Sequence, residues 1–237
     1  MALDTRYRTE EAEIMDDFTL EGEELRDALD KIASINKLLG GNKLTLEGVK
    51  RLLRDIDKSK IITIADIGCG NGDMLRVISD YGKKEGYNLK LIGIDANQFT
   101  INYARKLSET YDDIDYLCVD IFDEEFKVLK YDICLCTLTL HHFKDEEILK
   151  IMATFNDNAS IGVVINDLHR SKAAYRLFDI LCSLFGLNRM SREDGLVSIL
   201  RGFKKKELER FAKQLNLKNS VIQWKWAFRY QWIIKKL

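Results

Sequence analysis

The segment Ile61-Ile62-Thr63-Ile64-Ala65-Asp66-Ile67-Gly68-Cys69-Gly70-Asn71-Gly72-Asp73 constrains the fold more than any other part of the 237-residue chain. A β-branched apolar run ends in an acidic residue and three glycines at alternate positions. Residues 74–85 then read as a helix. Strand, tight glycine turn and helix bring bare backbone against a nucleotide-like ligand, at the edge of an α/β sheet.

The elements that follow repeat the pattern. Leu89-Lys90-Leu91-Ile92-Gly93-Ile94-Asp95 is a second buried-type strand closing on an acid, about 23 residues beyond Gly72. That spacing suits a carboxylate that bonds ribose hydroxyls. Residues 115–120 form a third strand, ending at Asp120. Residues 131–137 form a fourth, ending at Thr137, and residues 160–167 a fifth, ending at Asp167. Helical patterns at 98–111 and 145–156 separate most of them. Strands alternating with helices predict a doubly wound, Rossmann-like parallel sheet whose ligands sit at the carboxyl ends of the strands.

The turn itself selects among ligands. It departs from the dinucleotide fingerprint G-x-G-x-x-G, because Asp73 stands in place of the third glycine. It has no Lys-Ser/Thr pair for a phosphate, and no cation before Arg76. Asp66 and Asp73 flank it instead. A carboxylate-rich glycine turn suits a ligand with positive charge and few or no phosphates. S-adenosyl-L-methionine, with its sulfonium, ammonium, single carboxylate and adenosine, has that character.

The stretch Asp66-Ile67-Gly68-Cys69-Gly70-Asn71-Gly72-Asp73 resembles the first motif of class I S-adenosyl-L-methionine-dependent methyltransferases of the type 11/12, UbiE-like group. The resemblance covers about residues 60–167. It implies a seven-stranded sheet with an antiparallel terminal hairpin. It also implies a donor site formed by Asp66, Gly68, Cys69, Gly70, Asn71, Gly72, Asp95, Ala96, Asp120, Ile121 and Thr137, with Asp120 and Ile121 at the adenine. S-adenosyl-L-homocysteine is the implied product. At the chain ends, residues 13–18, 35–41, 166–170 and 184–203 resemble bacterial methyltransferases that accompany type III polyketide synthases. That finer likeness implies a phenolic or lipid-like acceptor.

Composition bounds the rest. Net charge is −1, so there is no bulk electrostatic case for nucleic acid. The charge is uneven: residues 1–30 hold eleven acids against three bases, and residues 201–237 eleven bases against two acids. Two solvated faces that attract each other are expected, with a membrane-surface patch as the alternative. The five cysteines show neither a CxxC pair nor a Cys/His zinc spacing, so no metal site is expected and the thiols read as reduced core residues of a cytoplasmic protein. The first twenty residues are too polar for a signal sequence, and no run reaches the length of a membrane span. The chain contains no proline, which excludes the D/N/S-P-P-Y motif of amino methylases. Sequence leaves monomer and homodimer equally open.

The two ends should set the acceptor. Residues 1–59 read as a helical cap, with helices at 10–15, 22–39 and 44–57; Leu25, Leu29, Ile32, Ile35, Leu38 and Leu39 give the middle one an apolar face. Its apolar stripe packs on the core, or the helices cover the donor site with Gly40 and Gly41 approaching the ligand. Residues 60–237 read as the methyltransferase domain, with an insertion at about 168–203 for the acceptor. Within it, 175–185 is a helix apolar almost all round, buried or lining an apolar pocket. A polar stretch at 189–202, a basic helix at 204–215 and a closing hairpin with Trp224, Trp226, Phe228, Tyr230 and Trp232 follow, the aromatics expected in the core.

Methyl transfer from a sulfonium is an in-line displacement in which the enzyme chiefly positions the acceptor and excludes water. A phenol, with a pKa near 10, benefits from a general base. His141 and His142 follow the fourth strand, where the family places acceptor-facing residues, and His142 is the preferred base. His169, beside Arg170, is the second choice, able to orient an acidic or phenolic acceptor. The alternatives are C-methylation of a quinone or phenol precursor and a non-catalytic donor-binding module. An NAD-dependent oxidoreductase fits poorly, because no Tyr-x-x-x-Lys pair follows the fourth strand.

Overall fold

The computed structural model describes residues 3–236. Five parallel strands, β1 (Ile61–Ile67), β2 (Asn88–Asp95), β3 (Ile114–Cys118), β4 (Tyr131–Thr137) and β5 (Ala159–Leu168), are joined through α3 (Asp73–Glu85), α4 (Gln98–Leu107), α5 (Glu124–Val128) and α6 (Asp145–Asn158). A hairpin of β6 (Ser220–Lys225) and β7 (Arg229–Lys235) completes a seven-stranded sheet in the order β3-β2-β1-β4-β5-β7-β6. Strand β7 runs antiparallel to both β5 and β6. The expected Rossmann-like sheet with its antiparallel end is therefore present.

Alternation along the strands divides the core in two. Ile62, Ile64, Leu91, Ile133, Leu135 and Val164 face α3, α4 and α2 (Gly41–Leu53). Ala65, Ile67, Cys134, Cys136, Val163 and Trp232 face α5, α6 and α9 (Lys205–Gln214). Both faces are covered, as a parallel sheet requires. The strand order reverses between β1 and β4, and that switch point opens a crevice at their carboxyl ends.

A third, smaller cluster lies above the crevice. Leu25, Ala28 and Leu29 of α1 (Glu23–Leu38) pack with Met190 of α8 (Arg189–Arg201), against Met15, Leu20, Phe99 and Tyr103. Asn188 caps α8 by accepting from Ser191 N at 2.8 Å, and Ser171 caps α7 (Lys172–Phe185) by accepting from Ala174 N at 3.0 Å. Sequence reasoning missed α8 because its polar and apolar residues share no single face. It also missed α5, and made a helix of residues 10–15, where only a single 3-10 turn forms at Ile14–Asp16. Asp120 lies two residues past β3, not at its end. The aromatics of the hairpin divide: Tyr230 and Trp232 are buried, while Trp224 and Trp226 are exposed.

Helix α2 is held unusually close to the sheet. A Cβ on Gly48 would lie 2.6 Å from Val164 Cγ1. From above, Asn166 Nδ2 donates to Gly41 O at 3.1 Å and to Thr45 Oγ1 at 2.9 Å. These bonds fix where α1 crosses the crevice. Among the described residues no helix is long and apolar enough to cross a membrane.

Replacing Gly48 by Leu is expected to force α2 off β5, costing about 1–3 kcal/mol as overpacking does. Urea denaturation should show a lower midpoint. An unchanged midpoint would mean that the close approach is not a constraint.

Candidate active site

The crevice is a cavity of about 850 Å³. One end is polar. Gly68, Cys69, Gly70 and Asn71 line it, with Asp66, Asp95, Ala96, Asp120, Ile121 and Thr137. Gly68 has φ +68°, and a Cβ there would strike the Thr139 side chain. Gly72 is the exception among the expected donor residues. It does not line the cavity; it starts α3 at φ +77° with the Tyr116 hydroxyl packed where a Cβ would stand. Gly40 and Gly41 do not line it either; the side chains of Leu25, Leu29, Ile32, Ile35 and Asn36 do.

Asp66 is 2% exposed and its Oδ1 has no hydrogen-bond partner. Burial, reinforced by Asp73 and Asp95, pushes its carboxyl well up. A cation placed beside it reverses that shift, so the site discriminates for positive charge. Asp95 accepts from Gly70 N at 3.2 Å and from Asn97 N at 3.1 Å, which orients its carboxylate across the glycine turn. Burial raises its pKa, against those amides and the charge of nearby His142. Arg76 is spent on structure, donating to Asn71 O at 2.7 Å and Ser108 Oγ at 3.1 Å.

The other end is apolar, walled by α7 through Ala174, Leu177, Phe178 and Leu181, with Ile199, Trp226 and Phe228 opposite. Helix α7 takes the second of the two roles expected of it and lines an apolar pocket. Ile180 and Leu184 are exposed while also bordering the cavity.

Between the two ends lies a polar network built largely by the N-terminal segment. His141 is 2% exposed. Its Nδ1–H donates to Asp167 Oδ1 at 2.7 Å, and its Nε2 lies 3.5 Å from Glu13 Oε1. Burial alone would lower its pKa; Asp167 and Glu13 overcome this and raise it to about 9. At neutral pH His141 is an imidazolium with no lone pair to offer, so it has no capacity as a base. Glu13 and Asp167 are both held below the usual carboxylate range by the histidines, against their burial.

His142 is different. Its Nδ1–H donates to Asp16 Oδ1 at 2.6 Å, and its ring, stacked on His141 at 4.4 Å, reaches the cavity with no partner for Nε2 among the described residues. Asp16 is held in turn by Arg201 at 2.6 Å, and Arg201 also donates to the His142 carbonyl. An aspartate on Nδ1 leaves the Nε2 lone pair free, the arrangement by which a carboxylate fixes a basic tautomer. Glu13, His141 and His142 bring ligand-capable atoms within 4.8 Å of one another, a spacing a metal ion can use. Here Arg201, 3.5 Å from Glu13 Oε1, supplies the positive charge at that place. Sequence reasoning missed Glu13, Asp16 and Arg201 because no local pattern brings residues 59 or more positions apart to the histidines.

His169 borders the apolar end. Its Nδ1 accepts from Trp224 Nε1 at 3.1 Å, which places its own proton on Nε2. Burial, helped by Lys204 and Arg170, lowers its pKa. It is a neutral donor toward the cavity, not an acceptor of protons. Arg170 beside it is fully buried and turned away, paired with Glu207 at 2.7 Å.

Residues 64–159 match the methyltransferase-domain family. The 235L protein of Invertebrate iridescent virus 6, named as a candidate methyltransferase, is 38% identical over 84 residues; the match spans 35% of this chain and 29% of that relative. Among solved structures, the plantazolicin methyltransferase BpumL in complex with S-adenosylhomocysteine superposes with a TM-score of 0.64 at 17% identity, covering 88% of this chain and 89% of that one. Magnesium protoporphyrin IX methyltransferase from Synechocystis PCC 6803 superposes with a TM-score of 0.54 at 13% identity, covering 86% and 84%. These likenesses carry the fold.

The raised pKa of His141 has a sign that can be checked. Its contribution to stability is complete below the ordinary value of 6.5 and is lost as pH rises through about 9. The loss is on the order of 3 kcal/mol at 1.36 kcal/mol per unit. Wild type should therefore lose stability to urea between pH 6.5 and 9.5, and His141→Gln should be weaker at pH 6.5 and flatter across the range. Parallel profiles would mean that His141 is not held charged.

Proposed function

We propose that this chain, which carries a class I S-adenosyl-L-methionine-dependent methyltransferase domain, transfers a methyl group to the oxygen of a small phenolic or polyketide-derived acceptor. The observation that carries this reading is the juxtaposition of His142 with both ends of the cavity. His142 lines the same cavity as Asp95 at the polar end and as Leu177, Phe178 and Leu181 of α7 at the apolar end. S-adenosyl-L-methionine, when bound, supplies an activated methyl group on a sulfonium.

Each residue then has a task. The unpartnered carboxylate of Asp66 takes the ammonium of the methionine moiety. Asp95 takes the ribose hydroxyls, and the Asp120–Ile121 loop, with Ala96, surrounds the adenine. The backbone of Gly68, Cys69, Gly70 and Asn71 forms the floor, and Thr137, bonded to Thr45 at 3.1 Å, closes it on the β4 side. Helix α7 and the hairpin turn hold the acceptor ring and keep water from the reacting atoms. His142 Nε2 removes the phenolic proton, with Asp16 holding the ring and stabilising the imidazolium as it forms. Asp16 is thus a positioning residue.

In this reading residues 1–59 are a cap that contributes Glu13 and Asp16 to the reaction space, and residues 168–203 shape the acceptor end of the domain formed by 60–237.

Calorimetric titration with S-adenosylhomocysteine should show binding by wild type and weakened binding by Asp95→Ala. Turnover of S-adenosyl-L-methionine against a phenolic panel should fall ~10²–10⁴-fold in His142→Asn with binding of S-adenosylhomocysteine kept. Asp16→Asn should lower kcat by less and leave KM near wild type. Absence of binding by wild type sinks the donor; wild-type turnover by His142→Asn sinks the base.

A further inference from the structure

The cation that sequence offered for an acidic acceptor was Arg170, and the fold spends it elsewhere. Besides Glu207, its guanidinium donates to the carbonyls of Thr5 and Arg6, both at 3.1 Å, and of Gly202. The arginine that borders the cavity is Arg229, the first residue of β7.

Arg229 is only 3% exposed, yet its Nε and Nη1 have no hydrogen-bond partner and it makes no ion pair among the described residues. A guanidinium taken out of water and left unpaired is costly. Burial pulls its pKa down to about 10, and Asp167 offsets this only in part. Asp167 cannot pair with it, being committed to His141. A second unsatisfied atom lies alongside. Asn36 Oδ1 is buried without a partner, and Asn36 also lines the cavity. A Cβ on Gly41 would collide with Asn36 and lie 3.2 Å from Arg229 Cζ, so amide and guanidinium flank one spot. Phe178, Leu181, Trp226 and Phe228 make the rest of that end apolar.

Resting on the methyl-transfer reading, we propose that Arg229 is a carboxylate subsite for the acceptor, so that the phenolic or polyketide-derived acceptor also carries a carboxylate. A planar guanidinium fits a carboxylate with two parallel hydrogen bonds. The apolar wall beside it takes the carbon skeleton. Leu168 pairs with Arg229, and β7 stands three strands from the glycine turn after β1. At ~4.8 Å per strand the Arg229 backbone is about 14 Å from that turn, on the side of His169 and Phe228. The donor also has a carboxylate, and the test separates the two sources.

Full-length wild type and Arg229→Gln are titrated calorimetrically, each alone and saturated with S-adenosylhomocysteine, against two matched pairs: 2-naphthoate with 2-naphthol, and dodecanoate with dodecanol. Wild type should bind at least one carboxylate about tenfold or more tighter than its neutral partner. Arg229→Gln should abolish that preference while keeping its affinity for S-adenosylhomocysteine within about threefold. A tenfold loss of S-adenosylhomocysteine affinity in the variant assigns the cation to the donor and overturns the proposal. So does equal binding of both members of both pairs by wild type, absence of binding included, or a preference that survives in the variant. Failure of wild type to bind S-adenosylhomocysteine sinks only the methyl-transfer reading, because the carboxylate preference is read without it as well. If Arg229→Gln does not fold, Arg229→Met is used. The carboxylate that wild type prefers should raise the thermal midpoint of wild type and leave that of Arg229→Met unmoved; an equal rise in both overturns the proposal.

Discussion

A carboxylate buried at the end of β5 sets the terms for everything above the sheet. Asp167 is 1% exposed, and a lone charge there would be untenable. The imidazolium of His141 balances it at 2.7 Å, and that fixes the chain just after β4. An imidazolium so deep needs a second acid, and the N-terminal segment brings Glu13. Glu13 needs its own partners, and α8 supplies the Ser198 hydroxyl at 2.6 Å and Arg201 at 3.5 Å. Asp194 of the same helix accepts from Ile14 N and Met15 N at 2.7 and 3.0 Å, pinning the 3-10 turn. One buried charge thus recruits the two chain regions that cover the crevice. Replacing such a network by apolar residues often costs little stability, whereas removing one member costs much. Its value here is positional: it sets Asp16, and through it His142, at the junction of the two halves of the cavity.

Those halves are electrically opposed. Asp66, Asp73 and Asp95 crowd the β1–β2 end, where each raises the cost of ionising its neighbours. The other end has a single buried guanidinium and aromatic walls. A ligand pair in which one member carries positive charge and the other negative matches this field, and two ligands of the same charge do not. Low-dielectric walls make such matching stronger than it would be in water.

The sheet and the acidic end were legible in the sequence because both depend on local patterns. Ile62 and Ile64 alternate with Ala65 and Ile67 between the two core faces, and the glycine turn carries its own geometry. The acceptor end was much less legible. Residues 10–15 hold enough helix formers to suggest a helix, yet Asp194, some 180 positions away, stops them at one turn. The apolar face of α7 gave its role but not its exposure. The histidine pair was visible, but not the reason its members differ: Asp167 and Glu13 load His141 with a proton, and Asp16 alone orients His142. Arg170 looked the better anion partner because it follows His169 directly. The pairing of β7 with β5 brings Arg229 to the cavity, and Glu207 together with the carbonyls of Thr5, Arg6 and Gly202 takes Arg170 away.

Several of the unsatisfied buried groups share one location, and that is itself an argument about function. Asp66 Oδ1, Asn36 Oδ1 and the Nε and Nη1 atoms of Arg229 are buried without partners, and all three residues line the cavity. Each such atom costs about 1–3 kcal/mol, more where charged, against a total stability of about 5–15 kcal/mol for a domain. Tyr131, Asn166 and Trp232 each leave one such atom unpaired away from the cavity, but a buried carboxyl and a buried guanidinium are kept so only if something repays the cost. The unpartnered carboxyl and guanidinium both line one cavity, Asp66 at one end and Arg229 at the other. Ligands that complete both sets of hydrogen bonds recover the desolvation cost already incurred in folding, so affinity and specificity come from the same atoms. Affinity for a cation at Asp66 and for an anion at Arg229 are thus two expressions of one constraint.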